Sequence, residues 1–143
     1  MRSIVFATAA AVVFAASAVH ADDPLLRECP SFTIKDGART GIYSGQYSQN
    51  GHTLAHTLVV QTVEEGGRAS VLYAHGRQPA WNIEPGCIPM SGTFTDDNTL
   101  VVRFKHDRKA VYEFFEDFVN VSYTSPNGIT RGQLKPKGTE GAS

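Results

Sequence analysis

The side chains best suited to chemistry in this chain surround one stretch rich in glycine and proline, residues 75–86. Tyr73 and His75 lie at its start, the single tryptophan Trp81 lies within it, and Asn82 follows. A further tyrosine, Tyr47, lies on an earlier strand. Aromatic rings stack on sugars and apolar groups, while hydroxyl, imidazole and amide groups add directional hydrogen bonds. These five residues predict a small-ligand site, although the tyrosines also fit core positions with hydroxyls at the rim.

No pattern in the chain predicts a catalytic residue, a metal ligand or a cofactor. His52 and His56 have the spacing of a helical zinc pair, but no glutamate follows His52 as the protease motif requires. On a strand these positions stand about 13 Å apart, too far to bind one ion together. We therefore interpret both as polar positions on a partly exposed strand. No nucleophile elbow, phosphate-binding loop or dinucleotide fingerprint occurs.

Basic residues cluster around one predicted hairpin tip, and they are Arg103, Lys105, His106, Arg108 and Lys109. Such a patch suits an anionic glycan or a lipid headgroup, but strand edges also carry cations for solubility, and we adopt that interpretation. The whole chain has 13 Lys+Arg against 14 Asp+Glu, a formal net charge of −1. This balance gives no general attraction to nucleic acid or to an anionic membrane.

The N-terminus has the pattern of a secretory signal, with one positive charge, an apolar run and small residues before Asp22. The predicted organisation is a signal peptide over residues 1–21, one domain over 22–136 and a flexible polar tail over 137–143. Removal of the signal leaves no segment for stable membrane insertion. We expect a periplasmic or extracellular protein. In that oxidising compartment the only two cysteines, Cys29 and Cys87, are expected to form a disulfide.

Apolar and polar residues alternate in short runs after residue 22, and turn residues separate the runs. The predicted strands cover residues 40–49, 52–64, 68–74, 88–95, 99–105, 110–115, 118–124 and 129–135, with 31–35 as a possible additional first strand. Consecutive hairpins favour an up-and-down meander, and closing it removes exposed edges. We predict an all-β fold, a single small antiparallel barrel of about eight strands. A two-sheet β-sandwich is the alternative.

One hairpin register is specific enough to predict. A three-residue loop over 107–109 would place Phe104 opposite Tyr112 and Arg103 opposite Glu113. This arrangement keeps the aromatic rings inside and an opposite-charge pair outside, which the buried face of a sheet favours.

Two short segments combine glycines with tyrosines at fixed spacing. The first is Gly41-Ile42-Tyr43-Ser44-Gly45-Gln46-Tyr47, a Gly-x-Tyr-x-Gly-x-aromatic pattern, and the second is Val71-Leu72-Tyr73-Ala74-His75-Gly76. With these segments the chain resembles small exported bacterial domains of uncharacterised function. The resemblance implies a calycin-like β-barrel and brings no catalytic residues. The chain departs from the pattern by carrying Tyr47 and His75 where such domains often have tryptophan.

We therefore expect an exported, non-enzymatic binding module for a small amphipathic or carbohydrate ligand, held at the open barrel end near Trp81. The alternative is an interaction or inhibitor protein of the cell envelope that uses the loop over 76–86. A second alternative is an enzyme built on the same barrel.

Overall fold

The alternating pattern folds into eight antiparallel strands that close on themselves. A computed structural model describes residues 23–138, so the predicted signal peptide and residues 139–143 of the predicted tail lie outside the described residues. The strands are β1 (Gly41–Gln49), β2 (His52–Val63), β3 (Arg68–His75), β4 (Gly86–Asp96), β5 (Thr99–Phe104), β6 (Arg108–Phe114), β7 (Val119–Ser125) and β8 (Gly128–Gly138). Each strand pairs with the next and β8 pairs with β1. The predicted meander barrel is confirmed, and the sandwich alternative is wrong.

The strand connections define two ends of the barrel, because successive strands run in opposite directions. The mouth is the end that carries the turns at 50–51, 105–107 and 126–127 and the long connection over 76–85. The base is the opposite end, with the connections at 64–67, 97–98 and 115–118. Tyr47, Tyr73 and His75 lie near the mouth ends of β1 and β3. Trp81 and Asn82 lie in the long connection at the same end.

The barrel interior is packed with apolar side chains from all eight strands, including Leu58, Leu100, Val121 and Leu134. Their neighbours along each strand point outward, as the period of two requires. The two glycines Gly45 and Gly132 allow β1 and β8 to approach closely, since a Cβ on either would overlap backbone atoms of the other strand. The closing pair of the barrel therefore depends on glycine.

Residues 23–36 form a second layer on the outside of the barrel. A 3₁₀ helix over Pro24–Glu28 buries Leu26 against Ile42, Val59 and Leu72, which are the outward-facing residues of β1, β2 and β3. Strand β2 is therefore buried on both faces, which explains its continuous buried run. A disulfide between Cys29 and Cys87 joins this layer to β4, as predicted.

The possible strand over residues 31–35 is absent from the structure. This stretch lies in the outer layer, where Lys35 donates its N–H to the carbonyl of Gln61 at 2.8 Å. Its apolar side chains Phe32 and Ile34 pack against the outer cluster instead of entering the sheet. The alternation there reflects packing on the outside of an already closed barrel.

The β5–β6 hairpin is confirmed, but its predicted register is wrong. Phe104 lies opposite Arg108, and Arg103 lies opposite Lys109. His106 and Asp107 adopt left-handed φ values of 63° and 57°, which His and Asp tolerate better than most residues, so the chain turns over 105–107. Because the shift is an even number of residues, Glu113 still faces outward as expected.

Asp23 anchors the outer layer to the barrel through a buried carboxylate. Its Oδ1 accepts the N–H of Leu25 at 3.0 Å, and its Oδ2 accepts the hydroxyls of Ser44 at 3.0 Å and Thr57 at 3.2 Å. The Nζ of Lys137 lies 4.0 Å from the same Oδ2. One side chain thus links the outer layer to β1, β2 and β8.

We expect Asp23→Ala to lower the free energy of unfolding by about 2 kcal/mol, because it removes charge-assisted hydrogen bonds and leaves the Thr57 hydroxyl without this acceptor. Urea unfolding measures the change. Asp36→Ala is the matched control, since Asp36 lies in the same segment and is exposed. Equal stability of the two variants would contradict an anchoring role for Asp23.

Candidate ligand-binding site

A cavity of about 1140 Å³ opens at the mouth of the barrel. Its wall includes the five residues predicted as ligand-binding, which are Trp81, Tyr73, His75, Asn82 and Tyr47. Further apolar lining comes from Leu54, Ile83, Ile88, Met90 and Phe104. The fold therefore brings together side chains as distant in the chain as Tyr47 and Phe104.

The floor of the cavity is made by two buried tyrosines. The hydroxyls of Tyr47 and Tyr73 lie 2.8 Å apart and are hydrogen-bonded to each other. Burial raises the pKa of both hydroxyls well above 10, so both are neutral near pH 7. Phe104 packs edge-on to Tyr73 with ring centroids 5.0 Å apart, and Tyr123 packs similarly against Phe104 at 5.6 Å. The floor is thus a packed aromatic layer that carries hydroxyl groups.

His56 lies beneath this floor and is fully buried. Its Nδ1 lies 2.7 Å from the carbonyl of Ala74, which can only accept, so Nδ1 carries the proton and donates. Nε2 then accepts the hydroxyl of Tyr112 at 2.8 Å. Burial penalises the imidazolium and lowers the pKa of His56 to about 4. The neutral ring stacks on Tyr47 with centroids 5.1 Å apart and supports the floor.

The interpretation of His56 as a partly exposed polar position is therefore wrong, whereas His52 is exposed. The alternation of inward and outward side chains along a strand could have corrected this interpretation. His56 lies between Leu54 and Leu58 at spacings of two, and both leucines face the interior. A polar side chain on that face has to be buried and hydrogen-bonded.

The connection over 76–85 forms one wall of the cavity. Gln78 donates its side-chain N–H to the carbonyl of Thr53 at 2.5 Å, and the backbone N–H of Gly76 bonds to Ala55 at 3.0 Å. A short 3₁₀ helix over Pro79–Trp81 follows and is closed by Asn82 with a left-handed φ of 58°. Trp81 and Ile83 then pack against the interior cluster. Trp81 is half-buried, with the rest of its ring on the cavity wall.

The other predicted residues present polar groups at the cavity. His75 donates from Nδ1 to the carbonyl of Gly76 at 3.1 Å, so its Nε2 is the acceptor when the ring is neutral. Asn82 is exposed at the rim. These groups and the tyrosine hydroxyls supply donors and acceptors around an apolar wall.

Basic side chains occupy one side of the same rim. Arg103, Lys105, His106 and Arg108 all line the cavity, and the lining contains one carboxylate, Glu84. The Glu84 carboxylate lies 3.8 Å from the guanidinium of Arg77. The sequence pattern favours a solubilising edge for this basic hairpin, but the meander places its tip at the same end as the loop over 76–85.

The base of the barrel carries a different depression, of about 810 Å³. Arg39 lies there with its guanidinium carbon 5.4 Å from the centroid of the Phe114 ring, and it donates to the carbonyl of Asp97 at 3.1 Å. The Tyr43 hydroxyl in turn donates to the carbonyl of Arg39 at 2.8 Å. The lining of this depression has one aromatic ring, Phe94, so the mouth with its several aromatic rings is the better candidate.

Within residues 23–138, no three His, Cys, Asp or Glu side chains are grouped so that they could hold a metal ion. The ion pairs of this described region are Arg77–Glu84 and Lys137–Asp23, and neither involves a histidine. Across the same residues no helix has the length and apolar character needed to cross a bilayer. What the mouth offers chemically is stacking, apolar contact, hydrogen bonding and positive charge.

Comparisons with protein-family models, with curated proteins and with solved structures gave no match to this chain. The geometry of the mouth therefore carries the functional argument.

Proposed function

We propose that this protein is an exported, non-enzymatic binding module that holds a small amphipathic or carbohydrate ligand in the mouth cavity. The observation that carries the proposal is the cavity itself, about 1140 Å³ above a floor of buried, hydrogen-bonded tyrosines. Small-molecule sites are concave, largely apolar and furnished with a few convergent polar groups. The mouth has this combination.

The cavity suits a ligand with one apolar and one polar part. Trp81, Ile83 and Met90 offer the apolar wall against which an aliphatic chain or sugar face packs. The hydroxyls of the floor and the rim amide of Asn82 offer hydrogen bonds. Because the tyrosines are held by their neighbours before any ligand arrives, binding loses little side-chain entropy on that side.

Export is supported by the disulfide between Cys29 and Cys87 and by the signal-like N-terminal sequence. Disulfides persist in oxidising compartments and are rare in the reducing cytosol. A periplasmic or extracellular binding module is the proposal that fits both features.

The rival hypothesis of a protein-interaction loop requires residues 76–86 to project as a wedge. Trp81 and Ile83 instead pack against the barrel interior, and Gln78 is bonded to Thr53. The loop is therefore better placed to form a cavity wall than to enter a partner. The enzyme hypothesis needs a histidine clustered with a carboxylate in the cavity. The one carboxylate of the lining, Glu84, lies 3.8 Å from Arg77 instead.

Native mass spectrometry of the protein purified from its own host, without refolding, tests the proposal. A non-covalent adduct that is lost on denaturation is the expected result, and its mass defines the ligand. A bare monomer from several growth conditions would count against the binding module and favour the interaction hypothesis.

We expect Trp81→Ala to weaken binding of the neutral apolar dye N-phenyl-1-naphthylamine about 30-fold, or about 2 kcal/mol, because the variant removes most of one wall. Dye fluorescence measures the affinity, and urea unfolding verifies that the variant is folded. Phe115→Ala is the control, because Phe115 is a half-exposed aromatic residue at the base. An unchanged affinity in Trp81→Ala would eliminate the loop as part of the site.

A further inference from the structure

We propose that the mouth cavity selects an anionic amphiphile, whose apolar body lies on the aromatic wall and whose acidic head is held by the β5–β6 hairpin. The inference rests on the proposed function, since it names the ligand class of the same cavity. The acidic head is a carboxylate, sulfonate or phosphate group.

The first observation is the charge of the rim. Three permanent cations, Arg103, Lys105 and Arg108, line the cavity against the single carboxylate of Glu84. Arg77, near Glu84 at 3.8 Å, reduces the effect of that one negative charge. The lining is therefore positive although the whole chain has a formal net charge of −1. Concentrated positive charge at a concave rim raises the local concentration of anions.

The second observation is the register of the hairpin. Arg103 lies directly opposite Lys109, a like-charge pair that destabilises a sheet. Glu113, the expected partner of Arg103, lies opposite Thr99 and Asn120 instead. In the part of the chain that the structure describes, the ion pairs within 4.0 Å include none of the hairpin cations.

Asp107 at the hairpin tip does not change this balance. It is exposed, it is outside the cavity lining, and it lies in neither described ion pair. The cations of the hairpin that line the cavity, Arg103, Lys105 and Arg108, therefore lie in neither of the ion pairs found among the described residues.

The third observation is the closeness of charge and apolar surface. Phe104, whose ring packs on the Tyr73 floor, is the cross-strand neighbour of Arg108. A ligand that lies on the aromatic wall therefore brings its end to the cationic rim. Guanidinium groups match carboxylate, sulfonate and phosphate oxygens with two parallel hydrogen bonds. A purely inorganic anion would leave the apolar wall unused, so the geometry favours an amphiphile.

A pair of dyes with the same framework isolates the charge of the ligand. 1-Anilinonaphthalene-8-sulfonate is N-phenyl-1-naphthylamine with one added sulfonate. Both accept energy from tryptophan, and the single Trp81 lines the cavity, so transfer locates the bound dye. With the disulfide-bonded protein at low ionic strength, we expect the sulfonate dye to bind about tenfold more tightly than the neutral dye. Added salt should reduce this difference.

The double variant Lys105→Gln with Arg108→Gln tests the residues that line the cavity at the hairpin tip. We expect it to lose about tenfold in affinity for the sulfonate dye and to bind the neutral dye as the wild type does. Both side chains are exposed, so the fold is retained, which urea unfolding verifies. Arg68→Gln with Lys135→Gln is the matched control, because it removes the same charge from exposed positions outside the cavity lining.

Each alternative outcome has a distinct meaning. Equal affinities for the two dyes, unaffected by the double variant, would overturn anionic selection while leaving the binding module in place. Absence of energy transfer to either dye would overturn the anionic-amphiphile inference, and the native mass spectrum then decides separately whether the binding module stands. Binding to vesicles of phosphatidylglycerol without dye in the cavity would overturn the small-ligand inference in favour of a charged surface for membranes.

Discussion

Replacing Cys29 and Cys87 together by serine is expected to lower the free energy of unfolding by about 4 kcal/mol. The bond spans 58 positions of sequence, and a loop of that length loses much conformational entropy when it is closed in the unfolded chain. Opening the bond returns this entropy to the unfolded state.

The folded state also depends on this bond, because it holds the outer layer of residues 23–36 to β4. That layer covers the outward faces of Ile42, Val59 and Leu72, each of which is at most 2% exposed. Leu26 and the Asp23 hydrogen bonds hold its beginning independently of the disulfide. We therefore expect the serine variant to fold at 25 °C with a less tightly held outer layer.

Urea unfolding of the double variant and of the reduced wild type measures the effect, and the two should agree. Limited proteolysis between residues 30 and 38 reports separately on release of the layer. A stability loss below about 1 kcal/mol would contradict the expectation that this bond is a major source of stability.

The fold class was predictable because it follows from a local signal, the alternation of apolar and polar residues between turns. Every hairpin of the barrel could be found in this way. Closure of β8 onto β1 follows from the cost of exposed edges. The close approach of the two strands at Gly45 and Gly132 could not be predicted. A Cβ on either glycine would clash with the other strand, and this is visible only with both strands in place.

The outer layer could not be predicted from alternation. The pattern around Phe32 and Ile34 predicts a strand, but hydrogen bonding in a closed barrel leaves no free edge for it. These side chains pack on the barrel surface instead. Only the cysteine pairing indicated that this segment has to approach the middle of the chain.

The aromatic residues of the candidate site were predicted, whereas its basic residues were assigned to a separate solubilising edge. Trp81 and Asn82 were identified by the unusual loop that carries them, and the structure places them on one cavity with Tyr47 and Tyr73. Arg103 and Arg108 line the same cavity because the β5–β6 connection is one of those that the meander places at the mouth. What alternation does not reveal is the register of this hairpin, which the left-handed conformations of His106 and Asp107 set.

His56 gives the second large expected effect, a loss of about 3 kcal/mol of stability between pH 6.5 and pH 4. The pKa of the ring is lowered from 6.5 to about 4 in the folded protein, first because burial penalises the imidazolium. As the pH falls below 6.5, the unfolded chain binds a proton on this residue while the folded chain does not. The contribution of His56 to the free energy of unfolding is therefore constant above pH 6.5. It decreases as the pH falls from 6.5 to 4.

The surroundings of His56 explain why the folded protein resists this proton. The ring is faced by Tyr47 from β1, by Tyr73 and His75 from β3, and by Tyr112 from β6. None of these groups is a carboxylate that could stabilise a buried cation, and His75 lowers the pKa further. Protonation at Nε2 would also oblige the Tyr112 hydroxyl to cease donating to the ring.

Urea unfolding at several pH values between 7 and 4 measures the effect in the wild type, in His56→Gln and in His52→Gln. His52 is exposed on the same strand, so its variant should retain the full pH dependence, whereas His56→Gln should lose about 3 kcal/mol of it. The comparison uses the change in the free energy of unfolding with pH. A lower stability of His56→Gln at pH 7 therefore does not affect it. If all three proteins show the same slope, His56 is not the group that links the aromatic floor to acid sensitivity.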